Sequence, residues 1–174
     1  AEAACGGNPW AVTYLDCFRY LEQLGRLAKK GVQVVMHNTL ARSEYALLDS
    51  DTHNPRPNYW AALLWNRLMG TKVYDVTLPI DGVDVFAHNL KGSKDGLAVL
   101  IVNPKDTECS VNIPSKAEQY LLTADELQTK TVKLNGTVLK LNSDDTMPEI
   151  KGKKIKAGEV LLPAHSILFL SVKK

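Results

Sequence analysis

The sequence predicts an α/β segment followed by an all-β segment, because its hydrophobic period changes near residue 70. Before that point apolar residues recur every three or four positions, which is typical of helices that bury one face. After it, short alternating runs are bounded by Gly, Pro, Asn and Asp, which is typical of an antiparallel β-sandwich. With 174 residues the chain is long enough for two small domains. We therefore expect one part over residues 1–70 and another over residues 71–174.

The first part predicts the order helix, strand, long loop, helix. An apolar stripe predicts a helix over residues 12–30, and the β-branched run VQVVM predicts a buried strand over residues 32–36. The stretch PNYWAALLWNRLMG predicts a second helix, with Asn58 as its N-cap and Gly70 at its end.

A strand between two helices is typical of a parallel sheet that is covered on both faces. Residues 1–70 contain no second parallel strand, so we expect them to be the last part of an α/β sheet or barrel whose remainder lies upstream. In barrels the loops that follow the strands carry the chemistry. The opening AEAACGGNPW and the long loop over residues 37–58 are therefore the candidate functional loops.

The second part predicts strands in TKVYDVTL, VDVFAHNL, GLAVLIVNP, CSVNIP, QYLLTA and EVLLPAHSILFLSV. Between the last two, KLNGTVLKL predicts a hairpin, because Asn135 and Gly136 suit the positive backbone angles of a tight turn. The run KGKKIK, residues 151–156, is the densest basic cluster. A solvated loop is the simpler interpretation of this run, and a surface for an anionic polysaccharide is the alternative.

Composition excludes several functional classes. Lys and Arg number 21 against 19 Asp and Glu, so the net charge of +2 gives no argument for a nucleic-acid partner. Apolar runs are too short to cross a bilayer, which argues against a membrane partner. The three cysteines form no CxxC pair and the four histidines do not cluster with them, so no metal site is predicted.

Two groups of motifs carry a resemblance to a known family. The stretches ACGGNPWAVTYLDCFRYLEQLGRLAKKGVQVVMHNTL, YALLD and PRPNYWAALLWNRLMGTKV closely resemble the C-terminal part of the heparanase and β-glucuronidase family, glycoside hydrolase family 79. The phrases LAVLIVNP, VKLNG and LLPAHSILFLSV continue the likeness nearly to the end of the chain. The first 75 residues are the specific part of this match.

The resemblance implies the C-terminal end of a (β/α)8 barrel followed by an antiparallel β-sandwich domain. It also implies a retaining hydrolase of β-glucuronides or uronic-acid-containing polysaccharides, with no cofactor. Retaining chemistry needs two carboxyl groups roughly 5–5.5 Å apart. The family's acid/base lies in an Asn-Glu dipeptide, which this sequence lacks. Its nucleophile precedes the glycine pair, so it is either Glu2 or, as the barrel register favours, a residue just upstream of Ala1.

The resemblance also implies a site for the substrate's carboxylate. The amides of Gly6 and Gly7, beside Cys5, would hold the carboxylate together with Tyr45 of the next loop. A glycine pair also suits a sharp turn into a helix, so a purely structural role is the alternative.

His37 and Asn38 follow the predicted strand and are expected to face the same cleft as the site for the substrate's carboxylate. They would contact sugar hydroxyls or orient a carboxylate, whereas hydrogen bonding within the barrel rim is the alternative.

The expected partners are a uronic-acid-containing carbohydrate and the upstream barrel segment, either in the same protein or in a processed second chain. As an isolated chain this segment is expected to be catalytically inactive, so the sequence leaves open whether it is an enzyme. The alternative is a stand-alone, non-catalytic carbohydrate-binding or structural β-sandwich module. By resemblance the protein would be secreted, periplasmic or lysosomal.

Overall fold

The computed structural model describes residues 7–173 of the chain. In this range a short 3-10 helix, Pro9–Val12, precedes two α-helices, α1 (Tyr14–Lys29) and α2 (Pro57–Leu68). The strands that follow are β1 (Met69–Tyr74), β2 (Asp84–Leu90), β3 (Leu97–Asn103), β4 (Cys109–Ile113), β5 (Ala117–Thr123), β6 (Lys133–Leu134), β7 (Thr137–Val138), β8 (Lys153–Ile155), β9 (Gly158–Leu162) and β10 (Ser166–Val172). No helix in the described range is long and apolar enough to span a bilayer.

The strands pair in an antiparallel manner throughout, as their alternating sequence pattern predicts. The larger sheet has the order β1-β2-β3-β10-β5-β6-β7, with β8 also paired to β5, and β4 and β9 form a separate two-stranded sheet. The predicted hairpin is confirmed, because Asn135 and Gly136 have φ angles of 49° and 87° and join β6 to β7.

The larger sheet is covered on both faces. Along β10 the side chains alternate, so that Ile167 and Phe169 pack towards the helices while Leu168 and Leu170 pack towards β4 and β9. The helix-side core is built from α1, α2 and the sheet, and its large members include Leu21, Trp60, Leu64, Phe86, Leu100 and Phe169. The helices and the sheet therefore share one hydrophobic core, and the division into residues 1–70 and 71–174 stays a prediction.

Helix α1 is fixed to the sheet at several points. The hydroxyl of Tyr14 donates a hydrogen bond to the carbonyl oxygen of Leu122 at 2.9 Å and contacts that of His165 at 3.0 Å. About three turns further along the helix, Gly25 lies directly against the ring of Phe86, where a Cβ atom would collide with it. These contacts place the N-terminal end of α1 at the start of β10.

The predicted strand over residues 32–36 is wrong for the described chain, because this segment is assigned to no helix or strand. Its apolar side chains lie in solvent, with Val34 68% and Met36 88% exposed. The sequence pattern predicts burial in a sheet, but no described strand lies beside this segment to supply hydrogen bonds. A neighbouring strand is what would turn this run into part of a sheet.

Three further sequence expectations need correction. Asn58 is not an N-cap, because it lies inside α2 and its side-chain amide donates to Asp16 of α1 at 2.7 Å. Gly70 does not end α2 as a cap but lies in β1, where Asn89 leaves no room for a side chain. The basic run over residues 151–156 is not simply a solvated loop, since Lys153–Ile155 forms β8.

Candidate functional site

The loop that joins α1 to α2 is organised by a buried arginine. One terminal nitrogen of Arg56 lies 3.0–3.2 Å from the backbone carbonyl oxygens of Ser43, Glu44 and Ala46. The other donates to the carboxylate of Asp49 at 3.2 Å. A single guanidinium group thus holds both sides of the turn that carries Tyr45.

Asp49 completes this scaffold. Its carboxylate accepts hydrogen bonds from the backbone amides of Thr52 and Asp51 and from the Thr52 hydroxyl. These donors, led by the Thr52 amide and joined by Arg56, hold the pKa of Asp49 well below its usual range. Asp49 is therefore a charged structural acceptor that anchors this loop through hydrogen bonds to its backbone.

Gly7, at the elbow before α1, contacts this loop through a carboxylate. Its backbone amide donates to Oε2 of Glu44 at 2.8 Å, across 37 positions of sequence. Gly7 has a φ of 91°, a conformation that favours glycine, so the residue type is explained by the backbone itself. The amide that sequence analysis assigns to a substrate carboxylate therefore has carboxylate-binding geometry, with Glu44 as its partner.

The other described candidates lie beside this contact. Nε2 of His37 is 3.3 Å from the carbonyl oxygen of Tyr45, and the edge of the His37 ring meets Tyr20 with the ring centroids 5.5 Å apart. Tyr45 is buried, whereas Asn38 is exposed. The structure thus brings Gly7, His37 and Tyr45 into one neighbourhood, with Asn38 at its solvent side.

Three predicted site residues, Glu2, Cys5 and Gly6, lie outside the described residues. Within residues 7–173, Glu44 is the carboxylate that touches the elbow. No group of three or more His, Cys, Asp or Glu side chains in this range is arranged to hold a metal ion. In the described part of the site, the Gly7 amide can bind a carboxylate and the His37 ring can accept or donate a hydrogen bond.

Sequence reasoning missed the two residues that shape this site. Glu44 is an exposed loop acid whose carboxylate reaches the elbow amide, a contact that no sequence pattern marks. Arg56 gave a usable signal, because an arginine between two prolines after an acidic loop is well placed to pair with an acid such as Asp49. Its contacts to three carbonyl groups have no signature in the sequence.

The chain is similar, over nearly all of its length, to curated proteins that include a β-glucuronidase and an inactive heparanase. It is 34% identical to baicalin-β-D-glucuronidase of Scutellaria baicalensis over 169 residues, which cover 91% of this chain and 32% of that protein. It is 29% identical to human inactive heparanase-2 over 197 aligned positions, which cover 98% of this chain and 33% of that protein. The chain thus spans about a third of the length of these relatives. No protein-family model matches it.

The fold is similar to part of a solved glycoside hydrolase. The family 51 α-L-arabinofuranosidase of Bifidobacterium longum matches with a TM-score of 0.64 at 14% identity, covering 93% of this chain and 34% of that one. At this identity the likeness concerns the fold alone. It describes the arrangement of helices and antiparallel sheets set out above.

Proposed function

This chain is homologous to the heparanase and β-glucuronidase family along nearly its whole length, and we propose that it is the C-terminal part of a retaining glycosidase. The proposed substrates are β-glucuronides or uronic-acid-containing polysaccharides. The remaining barrel strands and the acid/base carboxyl group would come from an upstream segment. The nucleophile would be Glu2 or a residue just upstream of Ala1.

The contact between the Gly7 amide and the Glu44 carboxylate is the observation that carries this proposal. An N–H group that already binds a carboxylate at 2.8 Å can bind the carboxylate of a uronic acid in the same way. Glu44 is exposed, so a substrate group can displace it without opening the core. Tyr45, fixed by the Arg56 scaffold, would then lie beside the substrate carboxylate, with His37 and Asn38 near sugar hydroxyls.

The uncovered segment over residues 32–36 supports the same proposal. Its apolar side chains favour burial, and in a barrel they would lie between neighbouring strands that hydrogen-bond its backbone. The loop residues that follow it would then open at the carboxyl end of the barrel.

One assay tests the catalytic proposal. Hydrolysis of 4-nitrophenyl β-D-glucuronide is measured for the 174-residue chain and for the protein that includes the upstream coding segment. We expect turnover only with the upstream segment, because catalysis needs two carboxyl groups and at least the acid/base would come from that segment. Turnover by the chain alone would contradict the proposal that the acid/base comes from the upstream segment. No turnover by either form would contradict the catalytic proposal.

The Glu44→Gln variant of the longer protein tests the role of the elbow. Removing the competing negative charge is expected to lower KM for the glucuronide several-fold and to leave KM for 4-nitrophenyl β-D-glucoside within twofold, since the glucoside has no carboxylate. Equal changes for both substrates would contradict the assignment of the elbow to carboxylate binding.

A non-catalytic carbohydrate-binding or structural module is the second candidate. The observation that favours it is the core that the two helices share with the larger sheet, which closes without residues 32–36. Binding of uronic-acid oligosaccharides by the chain, with no hydrolysis in either form of the protein, would support it.

A further inference from the structure

A cleft of about 450 Å³ lies at one end of three neighbouring strands, apart from the site described above. It is formed by β5 and its two neighbours, β10 on one side and β8, the strand that sequence analysis missed, on the other. Its lining residues are Lys116, Ala117, Glu118, Lys154, Ile155, Lys156, Ser171 and Lys173. The volume falls within the range of roughly 300–1,000 Å³ that is usual for small-ligand sites.

The strand register explains why lysines gather there. Glu118 lies opposite Lys154 on one side and opposite Ser171 on the other. Cross-strand partners share a face of the sheet, and so do residues two positions apart along a strand. Lys116, Lys156 and Lys173 directly flank the ends of β5, β8 and β10, so the register brings four lysines to one end of three neighbouring strands.

The charge in this cleft is largely unbalanced. In the described part of the chain none of the four lysines takes part in an ion pair. Glu118 is the acidic lining residue, and its carboxylate accepts a hydrogen bond from the Tyr120 hydroxyl at 3.3 Å. A concave surface with clustered cations concentrates field lines and attracts anions.

We propose that this cleft binds an anionic oligosaccharide through the carboxylate or sulfate groups of its sugars. The four ammonium groups would bind the anionic groups, and the Glu118 carboxylate would hydrogen-bond to sugar hydroxyls. Nucleic acid fits less well, because no aromatic ring is among the lining residues to stack on bases.

The cleft is separate from the elbow and does not depend on the glycosidase proposal. The Tyr14 hydroxyl contacts the carbonyl oxygen of His165, just before β10 begins, whereas Lys173 follows the last residue of β10. A strand of this length spans roughly 20 Å. The cleft would therefore act as an anchoring surface for a polyanionic chain.

Binding to the 174-residue chain tests this site directly. A heparin hexasaccharide, a hexagalacturonate and neutral cellohexaose are titrated while backbone amide shifts are followed by NMR. We expect the anionic sugars to shift amides of residues 116–118, 154–156 and 171–173, and cellohexaose to shift none of them. Binding of heparin alone or of both anionic sugars supports the site and identifies sulfate or carboxylate as the recognised group.

Matched variants distinguish binding at this cleft from non-specific attraction to the positive charge of the protein. The triple change Lys116→Gln, Lys154→Gln and Lys156→Gln is compared with Lys94→Gln, Lys130→Gln and Lys140→Gln, since all six are exposed lysines outside any described ion pair. The first triple is expected to weaken binding roughly tenfold or more and to reduce its salt dependence, and the second to change binding less than twofold. Unfolding temperatures verify that both variants fold.

Four results would overturn the proposal that this cleft binds anionic oligosaccharides. They are no binding of either anionic sugar, shifts that map elsewhere in the wild-type chain, equal weakening by the two triples, or equally tight binding of a single-stranded DNA with the same number of charges.

Discussion

Arg56 and His88 are both buried polar residues, but their surroundings satisfy them to different degrees. The terminal nitrogens of Arg56 are hydrogen-bonded, and only its Nε lacks a partner. His88 is 3% exposed, its Nδ1 is 2.7 Å from the Gly70 carbonyl oxygen, and its Nε2 has no partner in the described chain. The buried imidazole therefore has no second acceptor for the proton that a charged ring would carry.

This environment predicts a pH-dependent stability. Burial lowers the pKa of His88, and the opposing effect of the Gly70 carbonyl is smaller. The unfolded chain takes up a proton near pH 6.5 that the folded chain takes up only at lower pH, so stability falls as the pH drops below that value. Between pH 7.5 and 5.5 the loss from this residue is bounded by full proton uptake of the unfolded imidazole, at most roughly 1.4 kcal/mol.

The free energy of unfolding in urea, measured at both pH values for the wild type and His88→Gln, tests this prediction. Glutamine does not titrate, so the variant is expected to lose less stability than the wild type between the two pH values. An identical pH dependence of the two proteins would show that His88 titrates alike when folded and unfolded.

Helix α1 packs directly against the sheet at Gly25. An alanine there would gain helix propensity of roughly 1 kcal/mol, yet its methyl group would collide with the Phe86 ring. Overpacking of this kind typically costs about 1–3 kcal/mol. We therefore predict that Gly25→Ala destabilises the protein on balance, in spite of alanine being the better helix former.

A double-mutant cycle with Phe86→Leu provides the control. The smaller side chain leaves room for the methyl group, so Gly25→Ala is expected to be less destabilising in the Phe86→Leu background. If thermal unfolding shows the same cost of Gly25→Ala in both backgrounds, steric conflict with Phe86 is not its cause.

At the level of elements, the sequence predicts those whose stabilising contacts are local or periodic. Helix α1, the Asn135–Gly136 hairpin and the alternating strands all follow from side-chain periodicity and turn chemistry. Strand β8 does not, because its three residues are held by pairing with β5, which is distant in sequence, and its lysines suggest a loop. Asn58 was mistaken for a cap because its partner, Asp16, belongs to another helix.

The candidate site, like the strands and helices, was only partly predictable from the sequence. The glycine elbow and Tyr45 followed from a family resemblance, whereas the contact between Gly7 and Glu44 depends on how two distant loops meet. The Arg56 scaffold likewise depends on backbone carbonyl groups, which every residue carries and no sequence pattern marks.

For the molecule as a whole, one account explains both the packed faces of the larger sheet and the exposed segment over residues 32–36. Both faces of the larger sheet are packed, on the helices and on β4 and β9. Residues 32–36, in contrast, expose Val32, Val34, Val35 and Met36, each of them 41–88% accessible. Within the described chain, residues 33–36 donate no backbone hydrogen bond. The account holds that an upstream barrel segment covers and pairs with this stretch.

Amide hydrogen exchange of residues 33–36 tests that claim most directly. It is measured in the 174-residue chain and in the protein that includes the upstream coding segment, with amides of β10 as the internal reference. The account predicts exchange within about tenfold of the unstructured rate in the chain alone, and protection comparable to β10 in the longer protein. Equally rapid exchange in both proteins, or strong protection already in the 174-residue chain, would contradict it.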